Sequence, residues 1–437
     1  MQNLLNFPSS SLKRPTFAES TRFWWKLGWI SFGGTAAHIA LMHDDLVEKK
    51  RWVANDAFLH ALSLCMLLPG PEAQQLATYL GWKLHGRMGG IVAGVLFILP
   101  STFVLLVLSL VYVRFGSLPW VTAMFGGLKP GVIALVLLAL SRVAGRALDT
   151  LLQRGVCLGA FIALTFLHLS LPILMLLVII FGLLVAWKHP AARSREVRNH
   201  AVVSSVQSWG QALRRVARVF AVGFSIWLLP LVALRLFCPD APFWTQLCLF
   251  FTRTAFVTVG GSYTVIPYVA HLAISQFHWL GQAQMVDGFA LAETTPGPLI
   301  IVVAFVGFMA GFNHFHQSIL LGVLALLVTT FYTFLPCFLF VFAGAPFVEK
   351  TYGNPRIETT LRLITALVLA AMLDLTVFLI HGVLFPEGLL TPQGFDFIAA
   401  GWIVISFLLL RKLRMNVGMV IALSLLFGVT RWSLGFV

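Results

Sequence analysis

Of 437 residues, 59% are hydrophobic and 11% charged, and mean hydropathy is +0.90. Soluble domains run about 45–50% apolar and about 25% charged, and no soluble fold of this length hides so much apolar surface. A soluble enzyme, a disordered regulator and a disulfide-stapled secreted domain are excluded. At about 20 residues per span, the composition describes an all-α polytopic membrane protein with about 13 transmembrane helices. The net charge of +14 does not call for a nucleic-acid partner. The basic residues lie between apolar runs, where retention of Lys and Arg on the cytoplasmic side accounts for them.

In chain order, residues 1–20 with Pro8 and Pro15 show no cleavable signal, so the first span serves for targeting. Apolar runs predict spans at 23–42, 56–82, 89–113, 120–141, 155–170 and 171–187, with Pro172 marking either a turn or a kink within the last pair. The polar, basic stretch 188–216 is a linker, and 217–237 is a further span. The second half then reads as spans at 244–271, 283–312, 318–343, 359–381, 395–410 and 415–434. Cys65, Cys157, Cys238, Cys248 and Cys337 are scattered without C-x-x-C spacing, so no metal or redox site is expected.

The halves repeat. Gly33-Gly34 matches Gly260-Gly261 at an offset of 227, and Lys26 with Arg253, Trp52 with Trp279 and Pro69-Gly70-Pro71 with Pro296-Gly297-Pro298 follow at the same offset. Leu99-Pro100 matches Leu335-Pro336 and Pro119 matches Pro355 at 236. This divides the chain into a first repeat (1–187), a basic linker with a connecting helix (188–243) and a second repeat (244–437). Six spans precede the connecting helix and six follow it, so the second copy is inverted. With a cytoplasmic N-terminus and an external C-terminus, only Lys49, Lys50, Arg51, Arg114, Arg235 and Arg431 fall in outer segments, as the positive-inside rule favours. Inverted repeats of this kind place a transported substrate at the repeat interface near the membrane midplane.

Pro69-Gly70-Pro71 and Pro296-Gly297-Pro298 cannot continue a helix, because proline lacks a donor and glycine admits positive φ. Each reads as a helix break whose freed N–H groups suit an anion, or else as a structural kink or re-entrant turn without a ligand. Gly33, Gly34 and Thr35 match Gly260, Gly261 and Ser262, which serve close helix packing or add hydroxyl donors to the site. Gln74, Gln75 and Thr78 follow the first break and are placed to donate to an oxyanion. Lys26 and Arg253 are vestibule cations that concentrate anions, or snorkelling residues at the interface. Lys129, before Pro130-Gly131, is an intramembrane cation and hence a substrate-binding candidate; pairing with Glu72 or Asp374 is its structural alternative. Glu72 and Glu293 repel an anion unless protonated, and either is a candidate for proton coupling or for a salt bridge. His38 and His43 lack matching histidines and read as packed or interfacial.

At these residues the chain resembles the chromate ion transporter (CHR) family in its long, two-domain form. The resemblance rests on Phe32-Gly33-Gly34, on the stretch from Leu68 through Pro69-Gly70-Pro71 to Gln75, and on Glu293-Thr294-Thr295-Pro296-Gly297-Pro298. It implies efflux of chromate across the bacterial inner membrane and chromate resistance, with sulfate as the obvious competitor. Leu67-Leu68 stands before the first Pro-Gly-Pro where the second copy has Thr294-Thr295, so the copies are not chemically equivalent. No nucleophile–base pair, metal-ligand helix or nucleotide-binding loop appears, which argues against an enzyme and against a cofactor. Sulfate or other oxyanion transport and an anion channel remain the competing readings, and the oligomeric state is not legible.

Overall fold

The computed structural model describes residues 14–32, 34–66, 68–188, 209–258, 265–344, 355–385 and 395–435. These form sixteen α-helices and, among the described residues, no strand. The first copy comprises α1 (Phe17–Ile30), α2 (Gly34–His43), α3 (Asn55–Cys65), α4 (Glu72–Phe115), α5 (Pro119–Ala147), α6 (Leu151–Thr165) and α7 (Leu171–Lys188). After α8 (Trp209–Phe237) come α9 (Ala241–Val257), α10 (Val265–His271), α11 (Gln282–Thr294), α12 (Val302–His314), α13 (Ile319–Leu339), α14 (Pro355–Leu384), α15 (Phe397–Arg411) and α16 (Val417–Ser433). The stretch 155–187 is two helices, with Pro172 in the first turn of α7, where its missing N–H costs nothing.

The repeat persists down to single hydrogen bonds. A π-helical turn closes α2 at Asp44–Lys49 and another closes α10 at Leu272–Gln276. Arg51 and His278, 227 residues apart, both take positive φ, 53° and 51°. The tryptophan that follows each one donates back across its turn, Trp52 N–H to Leu46 O and Trp279 N–H to Ala273 O, both at 2.8 Å.

Four of the apolar stretches, 23–42, 56–82, 244–271 and 283–312, are not single rods. Each is a pair of helices that enters the bundle and returns to the end where it began. Phe17 at the start of α1 lies 5.6 Å from His85, and Phe23 lies 5.6 Å from Trp52, beyond α2. Likewise Phe243 at the start of α9 stacks on His314 at 4.3 Å and meets Trp279 at 6.4 Å. α4 itself reverses at His85–Gly86, where Gly86 takes φ +67°. Its short limb (72–84) then runs back along its long limb (87–115), and a β-carbon on Gly81 would come within 2.5 Å of both the Ala93 side chain and the Gly89 carbonyl. Only small residues allow two helices to approach this closely. Gly307 and Gly311 play the same part between α12 and α13.

The hairpins of the two copies enter from opposite ends. Phe342, just past α13, packs on Trp82 (5.4 Å) beside the reversal at Gly86, whereas Tyr112, near the far end of α4, packs on Phe305 of α12 (5.4 Å). The protein is thus an all-α polytopic membrane protein of two inverted repeats. The copies interlock: α5 packs on α15 and α16, and α14 packs reciprocally on α6 and α7. At the first seam Gly127 and Gly131 meet Ser424 and Gly428. At the second, Gly182 meets Thr360, and Thr165 donates to Asp374 at 2.8 Å.

Candidate functional site

α1 buries Phe23, Trp24, Leu27 and Gly28 against α4. Its start is fixed by a capping box, with Thr16 and Glu19 bonding reciprocally. Gly28 fits against the Leu96 carbonyl and the Pro100 ring. Pro100 has no N–H for that carbonyl, so the long limb of α4 presents an irregular surface at the depth where α1 ends. Ser31 terminates α1 and Thr258 terminates α9, and their hydroxyls turn back to the carbonyls one turn earlier, Leu27 (2.6 Å) and Thr254 (2.8 Å).

The Pro-Gly-Pro tips dock onto these two helix ends, each on that of the other copy. Gly70 N–H donates to Thr258 O at 2.5 Å and Gly297 N–H to Ser31 O at 2.6 Å. Both glycines take positive φ, +125° and +107°. Gly70 faces Cys337 and Gly297 faces Ser101, each the residue just after the Leu-Pro pair of the opposite copy. The chain breaks as the prolines require, but the glycine N–H groups are not free for a ligand. They are spent on the inter-repeat contact. The donors left to a ligand are the first-turn N–H groups of Glu72, Ala73 and Gln74, which have no acceptor within their helix.

The groups around the first tip are polar and buried. Gln74, Gln75 and Thr78 are fully buried; Gln75 donates through Nε2 to Pro69 O, and Gln74 donates to the Thr78 hydroxyl at 3.1 Å. The side-chain carbonyls of Gln74 and Gln75 have no hydrogen-bond partner within the protein, nor do the hydroxyls of Thr333, one turn before Cys337 on α13, and of Thr329, which faces Gly307 of α12. Buried polar atoms cost free energy when unpaired; the two amide carbonyls only accept, so the donors open to an oxyanion here are the first-turn amides and the second Nε2 hydrogens of Gln74 and Gln75. Glu72 (9% exposed) opens the helix after the first break, and Glu293 (8%) lies before the second.

The other candidates are placed differently. Gly34, at φ +80°, and half-buried Thr35 begin α2. Gly33, Gly260, Gly261 and Ser262 lie outside the described residues. Pro69 is half-buried, and Pro71, Pro296 and Pro298 are buried at the tips. Lys26 and Arg253 sit on the exposed faces of α1 and α9. The partner of Lys129 is neither Glu72 nor Asp374. Its ammonium lies 2.9 Å from Asp287 Oδ1, and Tyr112 donates to Asp287 Oδ2 at 2.9 Å. Asp374 is instead the acceptor of Thr165. His43 Nε2 lies 2.8 Å from the Asn55 side chain, while buried His38 lies 3.0 Å from Ser31 O, the carbonyl that accepts from Gly297.

Sequence reasoning passed over Ser31 and Thr258, although two hydroxyl residues at the 227 offset were signal enough. Ser101 and Cys337 follow the matched Leu-Pro pairs at 236 and could have been found the same way. Asp287 has no acidic counterpart, since His60 stands at its position in the first copy, so the repeat could not point to it.

A family model described as chromate transporter matches residues 18–186 and again 245–429. The chain is 29% identical over 357 residues to a chromate transport protein of Cupriavidus metallidurans, covering 82% of this chain and 81% of that one. It is 28% identical over 414 residues to a chromate transport protein of Pseudomonas aeruginosa, covering 93% and 90%. Over 112 residues it is 35% identical to the uncharacterized transporter YwrA of Bacillus subtilis, covering 26% of this chain but 62% of that shorter protein. No solved structure matches it significantly. With both repeats matched, the chain belongs to the chromate transporter family of membrane transport proteins, in the long form that carries two copies in one chain.

Proposed function

We propose that the protein is a secondary carrier that exports chromate from the cytoplasm across the bacterial inner membrane and so confers chromate resistance. The reciprocal docking of the Pro-Gly-Pro tips on the opposite copy, with the unpartnered first-turn amides of α4 beside them, carries this reading. It supplies a polar region near the middle of an apolar protein, at the junction of two inverted repeats, where such carriers hold their substrate. Family membership and the names of the long relatives supply chromate as the substrate. The substrate-facing residues of this reading are Gln74, Gln75, Thr78 and the first-turn amides of α4, with Glu72 and Glu293 as groups able to take up a proton. The N-terminus and linker lie in the cytoplasm and the C-terminus outside. Outward movement of a dianion is favoured by about 2.3 kcal/mol per charge per 100 mV, so the membrane potential suffices to drive it.

The test is uptake of radiolabelled chromate by everted vesicles, with sulfate as competitor. Saturable chromate uptake that depends on the protein and on an inside-positive potential is expected. Uptake of sulfate alone would sink the substrate assignment, and non-saturating flux would make the protein a channel.

Lys26 and Arg253 allow a milder test. If they are funnel charges, Lys26→Gln and Arg253→Gln should each raise the apparent KM roughly two- to threefold at low salt. The effect should fade as ionic strength rises and the Debye length falls to about 8–10 Å. A loss of maximal flux that salt does not alter would place them in the transport path instead.

A further inference from the structure

The interaction that most clearly breaks the symmetry of the two repeats is a charge cluster away from the tips. Lys129 of α5, Asp287 of α11 and Tyr112 of α4 meet at 2.9 Å on each carboxylate oxygen. The Asp287 side chain is 10% exposed and that of Lys129 is 23%. The cluster is wedged in place, because Gly288 leaves room for the Phe305 ring, which in turn packs on Tyr112 at 5.4 Å. One hairpin of the second copy, α11–α12, is thereby fastened to two long helices of the first.

The matching positions in the other copy cannot build the same contact. His60 stands where α11 has Asp287, and Thr365 stands where α5 has Lys129. The Thr365 hydroxyl turns back to the Leu361 carbonyl at 2.9 Å. In a carrier made of inverted repeats, the two end states exchange the conformations of the copies. Identical copies would give end states of equal energy. An intramembrane ion pair present on one side only must therefore favour one state over the other, because breaking it strands charge in a poorly hydrated place.

Resting on the proposed carrier function, we propose that Lys129, Asp287 and Tyr112 are a one-sided latch. It holds the α11–α12 hairpin against α4 and α5 in the state seen here and releases it in the opposite end state. Lys129 then acts on transport as a positioning residue, through Asp287, and not as a ligand of the anion.

Native Cys337 reports on the latch without any substrate. It is fully buried on α13, where its sulfur faces Gly70 of the first tip. In protein with Cys65, Cys157, Cys238 and Cys248 replaced by alanine, a membrane-impermeant maleimide is applied to right-side-out and to everted vesicles. Asp287→Asn and Lys129→Gln should each speed labelling of Cys337 roughly tenfold, from the face where α11 begins and not from the other. Tyr112→Phe keeps the ring packing and should give a smaller rise in the same direction, which guards against misfolding of the charge variants. The exchange Lys129→Asp with Asp287→Lys should return labelling toward the parent rate. In chromate flux, Asp287→Asn should lower the maximal rate and leave KM within about twofold. Unchanged labelling in all three single variants, or an equal rise from both faces, would overturn the latch. Because labelling needs no transported anion, a failure of the chromate assignment would leave this outcome readable.

Discussion

Gly70→Ala and Gly297→Ala, each adding one carbon, are expected to abolish transport while the protein stays in the membrane. Two costs fall on the same atom. Both glycines lie at positive φ, +125° and +107°, where an L-residue is strained by about 1–3 kcal/mol. The new β-carbon would also come within 2.6 Å of Gln75 Nε2 and 2.8 Å of Cys337 Sγ at the first tip, and within 2.7 Å of Ser101 Cβ and Oγ at the second. Relief of either clash moves the tip, and with it the N–H that reaches Thr258 O or Ser31 O. Leucine at these positions should be at least as damaging. The control is Gly155→Ala, on the exposed face of α6 with nothing near the added carbon, which should transport normally. The measurement is chromate flux divided by the amount of protein in the membrane. Normal flux from both tip variants would remove the Pro-Gly-Pro segments from the mechanism.

How far the sequence disclosed these features depends on which physical signal each one leaves. The repeat was legible because landmark residues with unusual backbone roles, Gly70 and Gly297 among them, recur at one offset. The helix breaks were legible for the same reason, since Pro-Gly-Pro forbids continuation whatever surrounds it. The course of the chain beyond each break was not legible. A stopped helix can resume its direction or turn back, and the choice is made by docking. Here it is made by Gly81 against Gly89 and Ala93, and by Gly28 against Pro100. In sequence these are only small residues at 28, 81, 89 and 93, without a stated partner. The partner of Lys129 was hidden similarly: Asp287 is 158 positions away and belongs to a hairpin whose direction of entry had first to be known.

The reversal of the first two hairpins has an all-or-none consequence that labelling can read. As a span, 23–42 would carry Lys49, Lys50 and Arg51 to the side opposite the N-terminus. As a hairpin, it returns them to the level of Glu19 and His85, since Trp52 rests on Phe23 and Phe17 rests on His85. A cysteine replacing Lys50 should therefore react with an impermeant maleimide from the same face as one replacing Arg87. One replacing His278, at the mouth of the second copy, should react only from the other face. The charge distribution favours this arrangement over the one with thirteen crossings. It gathers Lys49, Lys50 and Arg51 with Lys83 and Arg87, and leaves Arg114, Arg235 and Arg431 at the ends of α4, α8 and α16. One of those, Arg431, is neutralised by Asp396 at 2.6 Å. The basic excess on the face proposed as cytoplasmic is then larger than the linear reading gave, in the direction the positive-inside rule requires. Removing a pair of crossings from each copy leaves the number odd, so the two chain ends still lie on opposite faces. If Lys50→Cys and Arg87→Cys label from opposite faces, α1–α2 crosses the membrane. The docking of Gly297 on Ser31 would then need a different explanation.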